Sequence, residues 1–267
     1  MRLRLGAFAL VLAFGSACFF VTNLDALRGG GVAADGGGDA SVDAPGTDGS
    51  SDAGFCALHP GHTICSDFDE PNPFAAWVLE VAPVDAGTLE LSDANASSLP
   101  YAMRTLARPP DAGATYERLT YDLKVSPKRA HVELVLRACD VKTGVVPLVE
   151  LLCISPNAKF GGVWLHVVNG TMTLRLHPPL GTTDYSATPV DVPAVMSTGH
   201  KIVLDVVFDA NGSVTYTRDG VNIVSQTGID TSCLPNSGLQ LNIGSTTFPG
   251  GPDCESFYDD VLVDLGP

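Results

Sequence analysis

Cys56, His59, His62 and Cys65 stand at an even three-residue spacing, C-x2-H-x2-H-x2-C. Thiolate and imidazole in that density are good zinc ligands. The same two cysteines can instead oxidise to a disulfide, and Pro60-Gly61 marks a turn between them. The bridge is the expected outcome in an oxidising compartment. Cys139, Cys153, Cys233 and Cys254 complete a set of six. Sequence alone does not choose among their pairings. Spacing favours neighbours: Cys56 with Cys65, Cys139 with Cys153, Cys233 with Cys254. Each such bridge closes a short loop and constrains the unfolded chain by roughly 2–3 kcal/mol.

Other catalytic constellations are thin. Glycoside hydrolysis needs two carboxylates flanking the bond. The nearest acidic strand position, Glu150 in VPLVELLC, stands alone among apolar residues. There is no G-x-S-x-G elbow. No residue is therefore assigned a catalytic role, and the chain reads as non-catalytic. Sugar binding asks for an aromatic platform with polar side chains beside it. Trp164 alternates with His166, opposite Val163, Leu165 and Val167. Arg175 and His177, on the next alternating stretch, are placed to share that face. The chain has two tryptophans, and Trp77 reads as packing.

The elements that must position these groups are strands. Apolar residues alternate in 118–125, 132–138, 171–177 and 201–208, the period of a half-buried strand. Asn169-Gly170, Asn211-Gly212 and Asp219-Gly220 punctuate them as hairpin turns do. Many short strands without βαβ alternation imply an all-β, antiparallel sandwich or barrel.

The order of these strands carries a resemblance. From Gly199 the sequence reads GHKIVLDVVFDANGSVTYTRDGVNIVSQTG, then SGLQLNIGS, then FYDDVLVDLG. Together with Asp67-Phe68-Asp69 and Trp77 near the start, this resembles the concanavalin A-like jelly roll in its laminin-G-like and laminarinase-like branches, over about 60–267. The resemblance implies a jelly-roll β-sandwich. The laminarinase-like branch carries E-x-D-x-x-E or E-x-D-x-E on one strand, and this chain has no such run, which disfavours that hydrolase activity. The resemblance also implies a structural calcium near the closing strand, held by Asp259 with Asp69 close by. By alternation Asp259 is expected on the face of Phe257, Val261 and Val263. The plain alternative is a carboxylate that caps backbone amides or meets an arginine.

The chain begins with Arg2 and Arg4, an apolar run from Leu5 to Phe14, then Gly15, Ser16, Ala17 and Cys18. This order is that of a secretory signal, and Cys18 makes it resemble a bacterial lipoprotein signal whose cysteine is acylated. Seven cysteines then leave six after Cys18. Residues 1–18 are read as signal, and 19–54, rich in Gly, Ala and Asp, as a disordered spacer. Such a spacer reaches roughly 30–36 Å. Residues 55–267 are the sandwich domain. This layout resembles exported myxobacteria-like lipoproteins. With 30 acidic against 15 basic residues the chain carries −15, which excludes a nucleic-acid surface. A lipid anchor at the outer membrane or cell surface is expected, with a glycan or a surface protein as partner. The expected function is a non-catalytic recognition module, lectin-like, with a structural or protein-binding surface domain as alternative.

Overall fold

The computed structural model describes residues 54–81, 87–111, 113–123, 127–139, 141–154, 160–169, 171–177, 185–186, 199–232 and 238–267. Cys18, the 19–53 segment and Cys233 lie outside these residues. Among the described residues no helix is long and apolar enough to cross a membrane.

A short helix, α1 (Phe55–Leu58), precedes the strands. They are β1 (Ile64–Ser66), β2 (Val78–Val81), β3 (Gly87–Ser92), β4 (Ala102–Ala107), β5 (Thr115–Leu123), β6 (Arg129–Arg137), β7 (Val145–Ile154) and β8 (Phe160–Val168). After these come β9 (Thr171–His177), β10 (Tyr185–Ser186), β11 (His200–Val207), β12 (Gly212–Arg218), β13 (Val221–Ile229), β14 (Gly238–Thr247) and β15 (Cys254–Gly266). One sheet runs β13-β12-β11-β6-β15-β4-β3, with β1 also paired to β15. The other runs β10-β9-β8-β7-β14-β5-β2. The pairing is antiparallel and the two sheets form the expected jelly-roll sandwich.

Alternation builds the core directly. Leu134, Leu136, Ile202 and Leu204 of one sheet and Leu119, Leu151, Leu165 and Leu241 of the other are fully buried between the layers. Residues one step along each strand point away from the core, as the pleat requires. The Asp219-Gly220 turn has φ of 50° and 76°, the positive values that a two-residue hairpin turn between β12 and β13 demands. Trp77 packs edge-on against Tyr121, with ring centroids 5.7 Å apart, the packing role expected for it.

Two expectations are corrected. Cys139 is bonded to Cys254 across 115 residues, so neither the Cys139–Cys153 nor the Cys233–Cys254 pairing expected from spacing forms. The reason is the ladder: β6 ends beside the start of β15, so the two sulfurs meet although the sequence separates them. Cys153 is itself disulfide-bonded. The second correction concerns Asp259. The β6–β15 register slips between Asp259 and Leu262, and Asp260 has φ 50°, a β-bulge. The bulge flips the alternation. Val261 and Val263 therefore share the core face with Tyr258, and Asp259 does not lie with them.

Candidate active site

The Cys-His-His-Cys run does not hold zinc. Cys56 and Cys65 are joined, S–S 2.03 Å, which leaves no thiolate for a metal. His59 and His62 are turned to other partners, His59 Nδ1 to the Phe55 carbonyl at 2.9 Å and His62 Nδ1 to Asp264 at 2.8 Å.

The expected calcium pair is also differently employed. Asp259 Oδ2 accepts the backbone amides of Ser97 at 2.7 Å and Ser98 at 3.0 Å, and Oδ1 accepts the Asp260 amide at 2.9 Å. Asp69 Oδ1 accepts the Tyr101 amide at 2.8 Å. Asp259 thus latches the β3–β4 connection onto the bulge by capping amides, the alternative weighed above. Cys56, Asp67 and Glu70 lie together, but the Cys56 sulfur is spent in its disulfide.

The latch has a measurable pH signature. Burial, then the neighbouring Asp260 charge, pushes the Asp259 carboxyl up to about 7, against the three amides that pull it down. Between the ordinary carboxylate range and pH 7 the folded state holds a proton that the unfolded state has lost. Stability contributed by this group is therefore full in acid and falls as pH rises through 7. Wild-type protein is expected to lose about 2 kcal/mol from this group between pH 4.5 and 7.5, an allowance below the full linkage because salt screens Asp260. Asp259→Asn, neutral throughout, should remove that slope in urea-unfolding midpoints. Parallel pH curves for the two proteins would refute it.

The outward face of the second sheet gathers the remaining groups. Cross-strand register places Val78, Thr120, Asn242, Glu150, Trp164 and Arg175 in one line, from β2 through β5, β14, β7 and β8 to β9. Side chains so aligned on one face are contact neighbours. Thr120 Oγ1 donates to Asn242 Oδ1 at 2.9 Å, and Asn242 Nδ2 donates to Glu150 Oε2 at 2.9 Å. Arg118 Nη1 reaches the same oxygen at 2.8 Å, and its Nε binds Glu80 at 2.7 Å. Arg118 also lies over the Tyr116 ring, 4.4 Å from the centroid. Opposite Arg118 stands Gly244, at φ +136°. A Cβ there would come within 2.3 Å of the Glu117 carbonyl, so glycine lets β14 close against β5 beneath Arg118. Glu150 is thus no isolated acid. Its sequence neighbours are apolar, but its neighbours across the sheet are Arg118, Asn242 and Trp164.

The residues proposed from sequence meet here. Trp164 and His166 stack at 5.2 Å between ring centroids, with 19° between planes, so one indole face is covered. Arg175 pairs with Trp164 in register, and Thr173 with His166. The Nε of Arg175 is buried without a hydrogen-bond partner, and among the described residues no carboxylate pairs with its guanidinium. His177 ends β9 opposite Gly162; its side chain lies outside what is described. Sequence reasoning missed Arg118, Thr120 and Asn242. Their alternation shows which face they share, but nothing local shows that they meet Glu150.

The face is chemically asymmetric. At the β9 end sits Arg175, with no carboxylate partner among the described residues, next to an imidazole and an indole. In the middle and at the β5 end a cation is already held between two carboxylates. A buried Nε without a partner is costly unless a ligand completes it. Its planar fork suits a carboxylate.

No protein-family model and no curated protein matches the sequence. Solved structures do match. An endo-β-1,4-glucuronan lyase from the fungus Trichoderma reesei superposes with TM-score 0.64 at 14% identity, covering 77% of this chain and 96% of its own. Cellulose induced protein Cip1 gives 0.56 at 14%, covering 76% and 99%. The alginate lyase vAL-1 from Chlorella virus gives 0.53 at 7%, covering 77% and 100%. At such identities the likeness shows the fold, the sandwich also used by polysaccharide lyases. It overturns the expectation of a non-catalytic recognition module. That expectation rested on the lack of two carboxylates on one strand, which is a hydrolase's requirement.

Proposed function

We propose that this protein is a polysaccharide lyase acting on a uronate-containing glycan, with its site on the outward face of the second sheet. The observation that carries the reading is Arg175, half-buried with an Nε that has no hydrogen-bond partner, in line with Trp164 and on the strand next to His166. The glucuronan and alginate lyases that share the fold support it.

The chemistry follows from the substrate class. A uronate carries a carboxylate next to a C–H bond, and the glycosidic oxygen to be expelled lies on the following carbon. Ion pairing of that carboxylate with Arg175 withdraws its charge and stabilises the enolate-like electron pair left when the proton is removed. His166 is assigned the base. The C–H pair becomes the new C=C bond, the C–O bond to the departing sugar breaks, and the proton held by His166 passes to the departing oxygen. No oxidant, reductant or water is consumed. Trp164 is assigned to stack on a sugar ring. Thr120, Asn242 and Glu150 line the path of the neighbouring sugars.

The test is the ultraviolet absorbance of the unsaturated uronate on incubation with uronate polymers. Cleavage products lacking that chromophore, with new reducing ends, would point to hydrolysis and overturn the reading.

We propose also that the domain works outside the cytoplasm, tethered through a lipidated Cys18 by the 19–54 spacer. The disulfides of the sandwich support an oxidising compartment. Mass spectrometry of the mature N-terminus should find an acylated Cys18; an unmodified N-terminus beyond residue 18 refutes the anchor.

A further inference from the structure

We infer that this face selects its uronate by configuration. It cleaves residues of the glucuronate and mannuronate type, in which the C5 hydrogen and the C4 oxygen lie on the same side of the sugar ring, and spares their C5 epimers. The inference rests on the lyase reading and deepens it.

What decides is the side from which the protein reaches the sugar. Arg175, Trp164 and His166 rise from one face of one sheet. Arg175 stands in register with Trp164, and His166, two residues further along β8, stands in register with Thr173. His166 is therefore a diagonal neighbour of Arg175, a separation that long side chains still bridge. In a uronate the carboxylate is attached to C5. Holding that carboxylate on Arg175 brings C5 and its hydrogen to the β8–β9 pair.

The imidazole cannot change sides. His166 is 1% exposed, and its ring is stacked on Trp164 with 19° between planes. A side chain so packed has no room to swing around a bound sugar, so it meets the ring from the sheet side alone. In the elimination His166 takes the C5 proton and returns it to the C4 oxygen. One imidazole does both only where the two atoms lie on its own side. Glucuronate and mannuronate meet that condition.

In iduronate and guluronate, the corresponding C5 epimers, the hydrogen and the C4 oxygen lie on opposite sides. The C–H pair still becomes the C=C bond and the C–O bond still breaks, but the proton on His166 is then on the wrong side for the departing oxygen. That oxygen must take a proton from water, and the general-acid share of the rate is lost, about 10²–10⁴. Charge plays no part in this selection, because the two epimers carry the same carboxylate on the same carbon.

The experiment sets the full chain against polymers paired as C5 epimers. The pairs are unsulfated chondroitin with unsulfated dermatan, heparosan with its C5-epimerised form, and polymannuronate with polyguluronate. Each is followed by unsaturated-uronate absorbance. In every pair that is cleaved, the same-side member is expected to show kcat/KM at least about tenfold above its epimer. Equal or faster cleavage of the epimer overturns the inference and leaves the lyase reading standing, with the proton removed and returned by groups on two sides of the ring. No cleavage of any polymer overturns both. His166→Gln is expected to lower kcat on the same-side member by about 10² or more, with KM little changed. An unchanged kcat in that folded variant overturns the assignment of both proton steps to His166. If the variant does not fold, the comparison of epimers on the wild-type chain decides.

Discussion

Arg175→Met is expected to lower kcat/KM on the cleaved polymer by about 10³ and to leave the melting temperature unchanged or raised. The two halves of this result have one cause. In the folded protein the guanidinium is partly buried, its Nε lacks a partner, and burying an uncompensated charge is destabilising. Methionine keeps the length and apolar character of the stem beside Trp164, its register partner, while removing the charge. A purely structural arginine would behave oppositely, with stability lost along with activity. Arg175→Lys keeps the charge on a smaller, strongly hydrated head without the planar fork, so an intermediate loss of about 10–10² is expected. Because the carboxylate is bound before and during proton removal, the Met variant should suffer in both KM and kcat. Activity unchanged by Arg175→Met would remove the residue from the site, and the elimination mechanism with it.

The second large effect is on stability. The Cys139–Cys254 bridge closes a loop of 115 residues, and long closed loops take the most entropy from the unfolded chain. The paired substitution Cys139→Ala with Cys254→Ala is expected to cost about 3–5 kcal/mol, read from urea-unfolding midpoints. The bridge also pins the end of β6 to the start of β15, two neighbours in the first sheet. Cys254 sits fully buried beside Ser245 and Ser256, with sulfur–oxygen distances of 3.5 and 3.4 Å, so the alanine leaves a small gap that adds to the loss. Peptide mapping under non-reducing conditions gives an independent check. Recovery of Cys139 linked to Cys153 would overturn the assignment and the expected magnitude together.

These two residues show how unevenly the site was legible. Arg175 and Trp164 were both recognisable in the sequence as residues of one sheet face, because each sits in its own alternating run and the two runs are joined by a short turn. Neither the disulfide nor the Glu150 network was. Sequence spacing favours nearby cysteines, and Cys254 is distant in sequence from Cys139 although the β6–β15 ladder makes them neighbours. Glu150 is flanked along β7 by apolar residues and looked isolated, while its partners Arg118 and Asn242 come from strands β5 and β14. Local alternation orders side chains along one strand, whereas the Glu150 row runs across strands.

The sequence by itself determined the strands, the turn at Asp219-Gly220, and which side chains share a face of each strand. Those properties are local. They follow from the two-residue pleat and from the need to bury the apolar half of each run. The tertiary structure alone decided which residues stand opposite one another, because register is set between strands remote in sequence, by the packing of both sheets on one core. Asp259 marks the boundary between the two kinds of information. Alternation assigned it to the face of Val261 and Val263. A bulge at Asp260, imposed by the pairing of β15 with β6, turned it out of that face and into a cap for the amides of Ser97 and Ser98.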